Sequence, residues 1–189
     1  MSEITDSVQE QVEHAAKSRI NSLVALVVAI TATFMALCNV KDGNIVQAMS
    51  QAQAHSIDAW SYFQAKSTRQ AMAENALEMI SLQNTAGKDS LVKKYNDLIQ
   101  RYGKEKNDIK IQAEGFQKEY DTINLFDDQF DMTDALLTIA IAMLGISSLT
   151  QKKWLLYFAT AVSLIGIILG IAAFMNISLH SAFFSRLLG

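Results

Sequence analysis

Three stretches of the chain carry no charge at all, and they govern the reading of the rest. Ile20 to Val40 runs uncharged for 21 residues. At the rise of an α-helix such a segment spans about 31 Å, the thickness of a bilayer's hydrocarbon core. Trp154 to Met175 is uncharged over 22 residues and opens on Trp154 and Tyr157, aromatics of the kind that sit at a membrane interface. Ala135 to Thr150 is shorter; carried back to Met132, with Asp134 at the interface, it makes a tilted or slightly thin span. The pattern predicts transmembrane helices at 20–40, 132–150 and 154–175. Helices that are apolar all round can also be buried in large soluble proteins, but a chain of 189 residues has no core able to bury three of them.

Between the first two spans the pattern changes to helical periodicity. Residues 41–131 hold 11 Lys/Arg and 14 Asp/Glu, a well-solvated mixture. From Leu91 a heptad runs through Tyr95, Leu98, Tyr102, Glu105, Ile109, Gln112, Phe116, Glu119, Ile123, Phe126 and Phe130, and nine of these twelve positions are apolar. The first half carries a looser stripe, Val46, Met49, Gln53, Ile57, Trp60 and Phe63, continued by Met72, Leu77 and Ile80. The break is at 84–89, where Gly87 suits a left-handed helix C-cap and Asp89 or Ser90 can cap the next helix. The fold expected is all-α: three transmembrane helices with a long antiparallel helical hairpin, a coiled coil, inserted between helices one and two. Each arm continues from its transmembrane helix without a Pro or Gly cluster. Folding about 86–87 pairs Trp60 with Gly115 and Phe116. Gly115 either makes room for the indole or merely weakens its helix by about 1 kcal/mol.

Composition sharpens this picture. The chain contains no proline, where an average share of about 5% would give roughly nine, so a loop-rich or all-β fold is excluded. Net charge is −3 and no basic cluster exists, which argues against nucleic acid as a partner. The lone Cys38 lies inside the first span, and Leu37 stands where a lipoprotein signal needs a small residue; the acidic residues Glu3, Asp6, Glu10 and Glu13 fit no signal peptide either. The first span therefore reads as an uncleaved anchor, preceded by a cytoplasmic helix over 1–19 that starts at the Ser7/Glu10 capping pair.

Lys17 and Arg19 before span one and Lys152 and Lys153 between spans two and three lie on one side, which the positive-inside rule makes the cytoplasm. Residues 41–131 then face the periplasm of a bacterial inner membrane, and the tail 176–189 lies in the interface as an amphipathic turn or two.

Candidate chemistry is sparse. His14, His55 and His180 are scattered, and there is no phosphate loop or nucleophile elbow, so neither an enzyme nor a cofactor is expected. Asp127, Asp128, Asp131 and Asp134 offer carboxylates to a divalent cation but read better as a solvated collar. Thr31, Thr33, Thr138, Ser147 and Ser148 can line a pore between copies or bond to their own helices, and the second is favoured. In span three Gly166 and Gly170 form a small-xxx-small pair suited to close helix packing.

The run from Asp58 to Lys66, Asp-Ala-Trp-Ser-Tyr-Phe-Gln-Ala-Lys, and the later stretch from Ala140 to Trp154 resemble a bacterial membrane-protein family catalogued as domain of unknown function 4337. The resemblance implies a fold plan and no activity. Asp58, Tyr62 and Lys66 stand at successive i, i+4 steps, a polar ladder beside Trp60 and Phe63. With Gly115 and Phe116 these residues make an assembly or partner-docking surface, a reading preferred over a small-ligand site. The expected role is a non-enzymatic homo-oligomer in the lipid bilayer with a periplasmic coiled-coil stalk, structural or accessory in the cell envelope, docking itself or another envelope protein. The alternative is an oligomeric channel or conduit for small solutes, ions or lipid. An enzyme using Asp58 or Lys66 is the remainder.

Overall fold

The computed structural model describes residues 2–83, 87–177 and 179, with the backbone alone at 2–16 and 18. All its elements are helices: α1 (Ser2–Ser81), α2 (Lys88–Thr150) and α3 (Lys153–Phe174). No strand occurs among the described residues. Each helix is long and apolar enough to cross a membrane. The tail from 180 and the residues 84–86 at the break lie outside the described residues. The length of α1 follows from its sequence, which has no proline and a single glycine, Gly43. One glycine costs a helix about 1 kcal/mol, too little to stop it. Because α1 is already helical at Ser2, Ser7 lies within the helix and does not open it.

The ends of the helices show local chemistry. Gly87 has φ +87°, but its carbonyl accepts from the Leu91 amide at 3.3 Å, so it opens α2 instead of closing α1. The carboxyl end of α1 is held differently: the Lys88 ammonium donates to the Ser81 carbonyl at 2.6 Å, a cation on carbonyls the helix leaves unpaired. Between α2 and α3 the turn is made by Gln151 in the left-handed region, φ 56°. Its side-chain amide donates to Asn21 Oδ1 at 2.9 Å and to the Ser148 carbonyl, while Ser148 Oγ donates to the same Asn21 oxygen at 3.0 Å.

The chain divides into two compact units, Met1–Val46 with Asn124–Gly189, and Gln47–Ile123. In the first, α3 turns a face of small residues inward: Ala159, Ser163, Gly166, Gly170 and Ala173 are buried and recur at steps of four and three. Small side chains let backbones approach, and the approach is close here. A Cβ on Gly166 would lie 2.8 Å from Leu137 Cδ2, and one on Gly170 2.7 Å from Phe34 Cε1. Ile20, Val24, Leu144, Leu156 and Ala159 form the apolar core at one end. Phe34, Phe130 and Phe174 meet edge to face at the other, with centroids 6.4 Å and 5.3 Å apart. Midway, the Thr31 and Ser163 hydroxyls are 2.7 Å apart and fully buried, each satisfying the other.

The carboxyl end of α3 closes with Asn176 at φ 55°, where the Asn176 amide donates to the Ala173 carbonyl and the Ile177 amide to Ala172 at 2.9 Å. Gln129, 2% exposed, grips the chain beyond this end. Its amide nitrogen donates to the Leu169 and Ile177 carbonyls, at 3.0 and 3.3 Å, and its oxygen accepts from the Leu179 amide at 3.2 Å.

Candidate functional site

In the second unit, Gln47–Ile123, the buried and half-buried positions of α1 form a regular seam: Met49, Ala52, Ser56, Ala59, Phe63, Lys66, Gln70, Ala73, Leu77 and Ile80, at steps of three and four. Much of it is small or polar, so it is nearly silent as a hydrophobic signal. The bulkier Ile57 and Trp60, which catch the eye in the sequence, point outward, 59% and 36% exposed. In α2 the seam uses Tyr95, Leu98, Tyr102, Glu105, Ile109 and Phe116 of the heptad read from the sequence, but at its positions 112 and 119 it is shifted by one. Ala113 is fully buried, whereas Gln112 and Glu119 face outward.

Three contacts fix how the two seams meet. His55 lies over Phe116 with ring centroids 5.2 Å apart. Ser56 Oγ donates to the Ala113 carbonyl at 3.4 Å. Lys66 Nζ meets Glu105 Oε2 at 2.5 Å. These contacts correct the register expected from the sequence by about one helical turn: His55, not Trp60, covers Phe116. Gly115 makes no room for an indole, since a Cβ added there would meet nothing within 4 Å. The expected register assumed a fold about 86–87 with equal arms; the break actually starts at Leu82, where α1 ends.

Lys66 is the centre of the site. Its side chain is 11% exposed and its ammonium stands 5.2 Å from the Tyr62 ring centroid and 5.5 Å from that of Tyr102. The hydrogen bond to Glu105, more than any other influence, pushes the Lys66 value up and pulls Glu105 below the usual carboxylate range. Arg101 joins the group, 3.4 Å from Glu105 Oε1 and over the Tyr102 ring. The structure thus brings Tyr62 and Lys66 together and leaves Asp58 exposed outside the cluster. The polar ladder ends across the helices on Glu105, a residue that the sequence placed in the heptad as one of its polar interruptions. A lysine on one seam and a glutamate on the other was the available signal, and it required the correct register to be seen.

On the outer side, Trp60 packs edge-on against Phe63 at 5.4 Å, and Lys106 stands over the Phe63 ring at 5.8 Å. Farther along, an open groove of about 370 Å³ is lined by Arg69, Met72, Ala73, Tyr95, Leu98 and Tyr102, among others. The arrangement can hold helices in register and present aromatic and apolar groups outward. Among the described residues, no group of three or more His, Cys, Asp or Glu side chains is arranged to hold a metal ion. Gly166 and Gly170 lie apart from this site, packed in the other unit against Leu137 and Phe34 of the same chain.

No curated protein and no solved structure matches the chain. One family does, described as a domain of unknown function, DUF4337, and it matches residues 20–176, from the start of the first apolar span through the end of the third. The chain belongs to that family.

Proposed function

We propose that the protein is a non-enzymatic homo-oligomer of a bacterial inner membrane, whose residues 41–131 form an antiparallel helical hairpin of the coiled-coil kind on the periplasmic side and serve a scaffold or accessory role in the envelope. The observation that carries this reading is the set of large apolar side chains turned outward in Gln47–Ile123. Ile57 is 59% exposed, Tyr62 55%, Met72 and Met79 65% and Ile111 61%, in a segment that lies between the spans where no lipid chains would cover them. The hairpin arrangement is supported by the contacts between the seams, which pair ascending positions of α1 with descending ones of α2. Orientation rests on the lysines and arginines at the span ends.

The hydroxyl groups that would serve a conduit are in large part engaged elsewhere: Thr31 with Ser163, Thr33 with the Ala29 carbonyl, and Ser148 with Asn21. That leaves the scaffold as the better reading. Native mass spectrometry of the detergent- or nanodisc-held particle tests it. A single defined oligomer is expected, and Trp60→Ala together with Ile57→Ala is expected to shift it toward smaller species while helix content stays the same. A monomer at all concentrations would refute it.

A further inference from the structure

We propose that Asp42 and Asp127 share one proton and so form a pH-released latch between α1 and α2, just outside the apolar spans. Asp42 follows the first span by two residues and Asp127 precedes the second by five; both belong to the same compact unit. Asp42 Oδ1 and Asp127 Oδ1 are each sealed from solvent with no hydrogen-bond donor, yet the two side chains lie within hydrogen-bonding reach of one another. Two carboxylates facing each other are both acceptors. A single proton between them turns the repulsion into a hydrogen bond and gives the sealed oxygens what they lack.

Among the described residues, no cation acts on the pair. On α1 the neighbours are the buried Cys38 and the exposed Lys41. On α2 they are Asp128, Asp131 and Asp134, the last with a sealed, unpartnered oxygen of its own. The only ionisable side chains of α3, Lys153 and Tyr157, stand on its first two turns, away from the Asn176 end that Gln129 holds. Burial first, and the negative charges of Asp42, Asp131 and Asp128 next, push Asp127 up to about 6. Asp42 is also raised by burial and by Asp131, but its hydrogen bond with Asp127 pulls it back down. Asp127 is therefore the donor and Asp42 the acceptor.

Because the value is raised, the latched form is favoured in acid and loses that advantage as pH rises from the ordinary carboxylate value of 3.8 through about 6. Above this the pair holds two charges, and the two helices repel where they leave the spans.

The test uses the full chain in nanodiscs with EDTA present, in a Cys38→Ala background, with spin labels on cysteines replacing the exposed Asn44 and Leu125. Electron–electron double resonance distances are compared at about pH 5 and about pH 8. A narrow distribution in acid that lengthens or broadens at the higher pH, with a midpoint near 6, is expected. Asp127→Asn, whose amide donates to Asp42 without titrating, should keep the acid distribution at both values. Infrared difference spectra of the unlabelled protein should show a protonated carboxyl that disappears over the same range and is missing from Asp127→Asn. Unchanged distances and no such band would overturn the latch. So would recovery of the acid distribution at the higher pH by calcium added in excess of the EDTA, which would make the pair a cation site.

Discussion

Three glycines in this chain look alike in the sequence and differ in what surrounds them. Gly170 faces the edge of Phe34, itself held by Phe174, with a Cβ-to-ring distance that would be 2.7 Å. Gly170→Ala must displace an aromatic ring, and overpacking of this kind costs about 1–3 kcal/mol. Gly166 meets Leu137 Cδ2 and Cγ and Leu136 Cβ, and Leu137 is fully buried, so Gly166→Ala should cost about as much. Gly115 meets nothing, and Gly115→Ala should stabilise the helix by about 1 kcal/mol through propensity alone. Thermal unfolding of the three variants in one detergent, ranked against the parent, checks the order. The spacing of Gly166 and Gly170 was legible because close packing in a membrane requires small residues at that interval. What the spacing did not carry is what fills the space, since Phe34 and Leu137 come from distant parts of the chain. Gly115 was legible only as a choice between two roles, and the structure leaves it the plainer one.

Helices α1 and α2 show where periodicity informs and where it misleads. The extent of both could be read directly, because a proline-free chain with one interruption leaves little else to form. The inward face of α1 in Gln47–Ile123 could not. Its seam is built from Ala52, Ser56, Ala59, Lys66 and Ala73, which score as weakly apolar or polar, while the outward Ile57 and Trp60 score high. Hydrophobicity ranks side chains by their cost in water, and a closely packed seam selects by size. The Lys66–Glu105 pair sits on that seam as a polar step that fits one register, as buried polar groups do in coiled coils. Its pH behaviour is set by the directions of the two shifts. Glu105 is lowered, so its contribution is complete above the ordinary carboxylate value of 4.5 and fades as pH falls through the folded value. Lys66 is raised, so its contribution holds up to its ordinary value of 10.5 and is lost beyond it. Glu105→Gln should lower the melting temperature at about pH 7 and lower it less at about pH 3, as read by circular dichroism at both. An equal loss at the two values would mean that the glutamate acts by shape and not by charge.

At the scale of the whole molecule, the three apolar spans and the polar stretch between the first two were apparent in the sequence, and the family match covers that plan from end to end. The tertiary contacts that define each compact unit were not, because they depend on which face of a helix meets which. Trp60 illustrates the difference in a measurable way. A buried indole lost to alanine costs about 3–5 kcal/mol, but Trp60 is 36% exposed and leans on Phe63 of its own helix. Trp60→Ala should therefore cost the isolated chain clearly less than that, and an effect of the full size would have to come from neighbouring molecules, which a dilution series separates. Gln129 ties the stretch just beyond α3 to the interior. Its amide pairs with Ile177 and Leu179 as a short strand would, donating to one residue and accepting from the next but one. Cutting the chain after Asn176 would remove two of these partners and leave the amide oxygen of a side chain only 2% exposed without its donor. Trimming the tail thus amounts to an internal injury. A shortened protein should lose heat resistance, and Gln129→Leu, which no longer needs the missing partners, should restore part of it.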